Sequence, residues 1–478
     1  MSRSIDVIHP NTFEAENHWY PKALNATIHP MVNFFLNLDK QKIINRYCHL
    51  RPRVNRAKLE EVLNYQCKHF LWCGTDLINA TSASGYRKMV VLENNSSPSG
   101  QKSMPLLDDH QEQGSYRMLI ERTFKPILDK QKKTGGKIAV LYDKNHMEAS
   151  GYAHVIADVM NEDCLLVPYY NGEDNDHIKV EDEWICVKDA QGEWQPIRAA
   201  FRYVTQRPWT RVPLHCKTKL LNPIIACLAG GRNKMVAAKA YDLYNAELAE
   251  HGLQINIPET IWDVFKQEIP LWVQKLGGHA VIKIPYSNAG QGVYTITNQK
   301  ELDDFMAMDF EYERFIVQSL IGNYHWSSNS EKGKFYHVGT IPNNKGESYV
   351  TDVRMMVSST KDGIKPLCVY SRRAAKPLVD ILQDSTNSWE ILGTNLSIKE
   401  GDNQWGSDTN RLMLMDRRDF NKLGIGLDDL IEGFIQTVLS TIAIDKMSCQ
   451  LYNSKKKFRN RLFKSLNNDT TLLNEIMQ

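Results

Sequence analysis

Between Lys137 and Tyr170 the chain runs Ile138-Ala-Val-Leu-Tyr-Asp143, then Ser150-Gly-Tyr-Ala-His-Val-Ile-Ala-Asp-Val-Met160, then Cys164-Leu-Leu-Val-Pro-Tyr-Tyr170. Two short apolar runs on either side of a helical pattern form a β-α-β alternation. That alternation requires a parallel sheet, because only a crossover connection can return the second strand in the direction of the first. The spacing predicts a small Rossmann-like half. The acidic stretch 172–183 and Ala190-Gln-Gly-Glu-Trp194 read as exposed turns or a hairpin, and Pro196–Val204 returns to strand character. A boundary falls around 215–232. The segment 126–231 is therefore expected to fold as one unit.

The remaining segments alternate differently. Residues 30–72 carry Val32, Phe35, Leu59, Val62 and Phe70 at helical spacing and read as a helical prelude. Arg87–Glu93 reads as a short buried strand, followed by the loop composition of Asn94-Asn-Ser-Ser-Pro-Ser-Gly100. A helix over 234–248 leads into strand 279–286, a glycine-bearing loop at 287–293, strand 294–297, helix 300–306 and strand 314–321. Residues 350–357 and 366–373 read as neighbouring strands, 427–445 as an amphipathic helix, and 455–464 as a basic solvated tail. No repeat of solenoid or propeller period occurs. The expected units are 1–125, 126–231, 232–322, 323–452 and a tail 453–478, an α+β protein of two to three domains in 478 residues.

With 58 Lys and Arg against 56 Asp and Glu, the formal charge of +2 gives no global reason for a nucleic-acid or membrane partner. Nine cysteines without a C-x-x-C pair suit reduced thiols, and no apolar run reaches about 18 residues, so a soluble cytoplasmic protein is expected. Neither G-x-x-x-x-G-K-[ST], G-x-G-x-x-G nor H-E-x-x-H is present, which removes the P-loop, dinucleotide and zinc-hydrolase readings. Two constellations remain. Lys283 sits on an apolar strand beside a loop whose Gly290 and Gly292 let amides approach an anion. Glu93 and Asn95, two residues apart on a strand, offer a carboxylate and an amide oxygen as hard ligands of the kind that suits Mg²⁺.

Together, and in this order, these motifs resemble the ATP-grasp superfamily, specifically its circularly permuted branch, which includes glutathionylspermidine synthetase and eukaryotic glutathione synthetase. In that branch the metal-binding E-x-N strand precedes the substrate domain and the lysine-bearing lid. The resemblance covers about residues 70–400. It implies an ATP-grasp fold with a Rossmann-like substrate domain, and it assigns roles by position. Glu93, Asn95 and, at a longer spacing, Asp76 match the Mg²⁺ ligands. Ser97, Ser99 and Gly100 match the loop that meets the acid substrate, and Arg202 is a candidate for binding that acid. Lys234 and Lys283 match the two nucleotide-binding lysines. Ser287, Asn288, Ala289, Gly290, Gln291, Gly292 and Val293 match the loop covering the β- and γ-phosphates. Gln318, Ser319 and Leu320 match the adenine hinge, and Arg354 and Arg373 match arginines that steady the transferred phosphoryl.

The function implied is ATP- and Mg²⁺-dependent ligation of a carboxylate to an amine through an acyl phosphate, with ADP and phosphate released. The partners expected are a small-molecule or peptide acid and an amine, with neither nucleic acid nor membrane, in a monomer or homodimer. Two alternatives stand beside it: a phosphotransferase on the same nucleotide site and a nucleotide-binding module without turnover.

Overall fold

The computed structural model describes residues 4–108, 110–131, 134–171, 175–204, 211–287, 292–383, 387–399 and 405–477. Three large sheets and one two-stranded ribbon organise them into an α+β architecture. In the first, strand Lys137–Tyr142 lies parallel to Cys164–Pro168 on one side and to Trp194–Tyr203 on the other. Helix His146–Met160 makes the crossover and buries Ala149, Tyr152, Val155 and Ile156. The β-α-β reading of this segment therefore matches the sheet. Two edges were not legible: Asp6–Ile8 pairs antiparallel with Cys164–Pro168, and Lys219–Leu221 adds in parallel to the far half of Trp194–Tyr203.

The second sheet is antiparallel, in the order Thr260–Phe265, Arg314–Ser319, Ala280–Lys283, Val293–Ile296. Helices Ile269–Lys275 and Gln299–Ala307 close it with a small core of its own, including Ile269, Val273, Phe305 and Phe315. A separate core gives this unit the means to move as a body over whatever it covers.

The third sheet carries the site. Trp72–Ser82 lies at its centre, paired with Arg87–Asn95, Phe335–His337 and Thr351–Thr360, and Thr351–Thr360 pairs in turn with Gly363–Arg373. The helical prelude ends at Leu63, short of the expected 72, and the central strand begins at Trp72. Nine successive residues of that strand, Trp72–Ala80, are buried, although Thr75, Asp76 and Asn79 are polar. Burial on both faces removes the alternation that would have announced a strand.

Helix Leu427–Gln450 passes beneath the sheet, buried along nearly its whole length rather than on one face. Gly433 lets it approach closely, since a Cβ there would stand 3.2 Å from Leu77 Cδ1. Near its end Asp445 is fully buried, and its carboxylate accepts from the backbone amides of Lys68, His69 and Phe70 at 2.7–3.1 Å and from the Tyr65 hydroxyl at 2.9 Å. One side chain thus satisfies the amides that lead into the central strand. Asp445→Ala should lower stability by about 3 kcal/mol through those stranded donors. Urea denaturation measures this, and an unchanged midpoint would refute the clamp. Among the described residues no helix is long and apolar enough to cross a membrane.

Candidate functional site

Cross-strand register assembles the polar floor of the cleft. Glu93 lies opposite Asp76, Asp76 opposite Arg354, and Arg354 opposite Tyr370, making one row across four strands. In the next row on the same face Ile78 lies opposite Asp352, which lies opposite Arg372. Strand pairing between Arg87–Asn95 and its neighbour slips by one residue: Leu77 faces Val91 but Asp76 faces Glu93, leaving Leu92 as a bulge. The bulge decides where Glu93 points. Val91 packs in the core, and an unbroken two-residue period would place Glu93 beside it. With the extra residue, Leu92, Glu93 and Asn95 all line the cleft while Asn94 turns inward to donate to Ser440 Oγ at 3.1 Å.

Two lysines from distant segments meet Glu93. Lys234 is the first residue of helix Lys234–Leu248, which begins at Asn233, whose side chain accepts from the Val236 amide. Its Nζ stands 3.5 Å from Glu93 Oε2 and donates to Ser287 O at 2.9 Å. Lys283, at the end of strand Ala280–Lys283, donates to Leu92 O at 3.2 Å. Burial pushes the Glu93 carboxyl up, but Lys234, then Lys283 and Arg354, outweigh it and hold the group below the usual carboxylate range. Burial pushes Lys283 down to about 8, with Glu93 partly offsetting it. Glu93 and Asn95 lie side by side with 3.5 Å between Asn95 Nδ2 and Glu93 Oε1, a pair of oxygen donors that fits a cation shared with phosphate and water. Among the described residues there is no group of three or more His, Cys, Asp or Glu placed to hold a metal.

Asp76 is the first correction. It lines the cleft, but both carboxylate oxygens accept from Arg354, at 2.5 and 2.6 Å, and Oδ2 also from Arg372 at 2.9 Å. Arg372 in turn grips Asp352, which also accepts from Thr394 Oγ1 at 2.9 Å. Both Asp76 oxygens are thus engaged by arginines, and the residue holds Arg354 and Arg372 in place. Arg373 is the second correction. Strand alternation sends Arg372 into the cleft and Arg373 away from it, over the Tyr349 ring at 4.7 Å. Arg202 is the third. It is fully buried, donates to the carbonyls of Asn222 and Val204 and to Ser96 Oγ, and does not reach the cleft.

The loop after Asn95 forms a second arm. Ser99 O accepts from Tyr370 OH at 2.9 Å and Arg354 Nη1 at 3.2 Å, while Ser99 Oγ meets Tyr203 OH and Asn145 Nδ2. Buried Glu148 takes the Gly100 and Gln101 amides on Oε1 at 2.8 and 2.7 Å and Tyr203 OH on Oε2 at 2.7 Å. Gly100 has φ 137°, and a Cβ there would lie 2.0 Å from the Tyr370 ring, so only glycine fits. Lys102, Lys144 and Arg232 also line this arm, and Lys144 donates to Ser97 O at 3.2 Å. Sequence reading missed these three, which belong to no motif.

A third arm is walled by Ile78, Val281, Leu320, Ile321 and His337. Burial pushes His337 down to about 4, which leaves it neutral at pH 7. Gln318, Ser319 and Leu320 also line the cleft, and the Ser319 and Leu320 amides donate to Glu259 O and Ser328 Oγ. Of residues 287–293, expected to cover the phosphates, Val293 lines the cleft. Ser287 holds Lys234, Gly292 turns at φ 72°, and Asn288, Ala289, Gly290 and Gln291 lie outside the described residues. The whole cleft has a volume of about 480 Å³.

No protein-family model matches the chain, and no curated protein matches it. Among solved structures it is similar to a RimK domain ATP-grasp protein from Sphaerobacter thermophilus, at 15% identity and a TM-score of 0.30, over 51% of this chain and 92% of the other. It is also similar to a glutathione synthetase-like effector, GSS30, from Globodera pallida, at 10% identity and a TM-score of 0.37, over 73% and 86%. A D-alanyl-alanine synthetase A from Vibrio cholerae aligns at 12% identity and a TM-score of 0.29, over 49% and 88%. With TM-scores this low, the chemistry has to be read from the residues of the cleft.

Proposed function

We propose that the chain is an ATP-grasp enzyme that joins a carboxylic acid to an amine at the expense of ATP. One observation carries this reading: Glu93, Lys234 and Lys283, the last 190 positions from the first, converge on one cleft to which the row of Glu93 adds Arg354 and the next row Arg372. Such a set suits a triphosphate, with ammonium groups for the phosphates and a carboxylate–amide oxygen pair for the cation that accompanies them. Bound there by Glu93 and Asn95, Mg²⁺ would offset phosphate charge.

The roles of the side chains follow from position. The apolar third arm takes the nucleoside base between Ile78, Val281 and Leu320. Lys234 and Lys283 hold phosphate oxygens. Arg354, kept rigid by Asp76, faces the loop Ser97–Gly100 and steadies the γ-phosphoryl beside an acid held by Lys144, Arg232 and Ser97. A carboxylate oxygen takes the phosphoryl and ADP leaves. An amine nitrogen then attacks the carbonyl carbon, phosphate departs with the bonding pair, and the amine gives up a proton. Water would hydrolyse the acyl phosphate, so the lid sheet carrying Lys283 must cover it during reaction.

The test is incubation with ATP, Mg²⁺ and pools of acids, with and without amines, following ADP, phosphate and product mass. Amine-dependent adducts support ligation. A stable phosphorylated product without an amine requirement would make it a phosphotransferase, and binding without turnover a nucleotide-binding module.

Lys283 gives an independent check. Burial pushes its ammonium down to about 8, so the charge is present below that pH and lost above it. Triphosphate favours the charged form, so binding at pH 8.5 should take up part of a proton, and affinity should fall as pH rises further. Calorimetry in buffers of different ionisation enthalpy measures the uptake. Lys283→Arg, always charged, should remove the share that Lys283 contributes and so lower the uptake. No uptake by the unmodified chain would remove Lys283 from the phosphate site.

A further inference from the structure

A second cleft lies apart from the first, between the edge of the parallel sheet and the hairpin Thr351–Arg373, with a volume of about 1220 Å³. Eight lysine and arginine side chains and three carboxylates line it, a local excess of five positive charges in a chain whose whole formal charge is +2. The three carboxylates are already engaged: Glu121 with Arg117, Glu183 with Lys217 and Asp362 with Lys365. Lys219, Lys361 and Lys456 make no ion pair among the described residues. Cations from three separate segments therefore share a concave surface with little counter-charge, and such a surface attracts anions.

The cleft wall also contains an unfilled strand edge. Lys219–Leu221 pairs only with Trp194–Tyr203 among the described residues, which leaves its other edge without a strand partner. Every residue from Leu214 to Leu220 lines the cleft. Of these, Lys219 and Leu220 belong to the strand; side chains of successive strand residues point to opposite faces, so a space lined by both wraps the strand's edge at that point. An exposed edge is a template for another extended backbone.

Size and floor narrow the occupant. The volume exceeds the roughly 300–1,000 Å³ of small-molecule pockets. Leu71, Ile127, Leu220 and Pro223 add apolar surface to the lining. The aromatic ring of Tyr452 is packed between His69 and His215, with centroids 5.5 Å away on each side, so it offers no free face on which a nucleic-acid base could stack. We infer that this cleft binds an extended acidic peptide segment of a partner protein, added along the edge Lys219–Leu221 with its carboxylates facing the lysines and its apolar side chains on that apolar surface. The inference stands independently of the nucleotide cleft.

The probe is a short fluorescein-labelled peptide alternating Glu and Val, followed by anisotropy. It should bind at least about tenfold more tightly than its counterpart with Gln for Glu, and added salt should weaken it. Hydrogen exchange at Lys219–Leu221 should slow when it binds. The variant Lys217→Glu/Lys219→Glu/Lys361→Glu, at exposed positions, should lose the binding by about tenfold or more. The milder Lys→Gln triple serves if the first fails to fold, as judged by circular dichroism. Equal affinity for the Gln peptide, binding indifferent to both variants, or no slowing at the strand edge would overturn the proposal. Tighter binding of oligothymidylate or inorganic triphosphate than of the acidic peptide would also overturn it, and would assign the cleft to phosphate chemistry.

Discussion

Glu93→Gln should leave the chain folded and lower ATP turnover by about a thousandfold or more. The substitution keeps shape and one oxygen donor while removing the charge that faces Lys234 and that, on the proposed reading, would hold the cation beside Asn95. Its effect on nucleotide should split. Metal-free ATP should bind at least as well as to the unmodified chain, because a carboxylate next to phosphate repels it. The dependence of ADP release on Mg²⁺ concentration should shift to much higher concentration or vanish. Loss of the counter-charge should also push the Lys234 and Lys283 ammonium groups further down, since burial already lowers both and Glu93 is what opposes it. Steady-state ADP release and metal-free ATP titration measure the two halves. Near-wild-type turnover in this variant would refute the assignment of the cleft.

Much of the site was legible because its residues are of the right types on short, strongly patterned strands. Lys283 and the pair Asp352 and Arg354 sit on strands whose apolar neighbours announce them. What could not be read was register. Glu93 reaches the cleft only because Leu92 bulges, a fact contained in the pairing with a strand that was itself hidden by complete burial. Asp76 looks like a free carboxylate in sequence, and the arginine that takes it lies 278 residues away. Arg202 looks like a binding residue, but cross-chain carbonyls claim its guanidinium. Lys102, Lys144 and Arg232 are isolated cations, ordinary in sequence, that become significant only where the folded loop brings them together.

The same register makes Arg372 and Arg373 a controlled comparison on adjacent residues. Arg372 is 7% exposed and binds Asp352 and Asp76, which are 2% and 5% exposed. Arg372→Met would leave those carboxylates short of a partner in a buried site, and removing one member of such a network costs about 3–5 kcal/mol. Lysine should rescue little of it, since a single ammonium cannot reproduce a guanidinium donating through two nitrogens to Asp352 while also reaching Asp76. Arg373→Met should change stability by less than about 1 kcal/mol, because that side chain loses only its position over Tyr349 and a long contact with Ala374 O at 3.4 Å. The pH dependence fixes the cause. Arg354 and Arg372 hold the Asp76 carboxyl below its ordinary value against the effect of burial, so the stability it contributes is complete above about pH 4 and is lost as pH falls further. In Arg372→Met that depression shrinks, so the stability gap from the unmodified chain should be widest near neutral pH and narrow below about pH 4. Denaturation midpoints at pH 7 and pH 3.5 measure it. A gap independent of pH would mean that Arg372 acts by packing alone, and an equal loss in Arg373→Met would mean that the strand faces have been assigned the wrong way round.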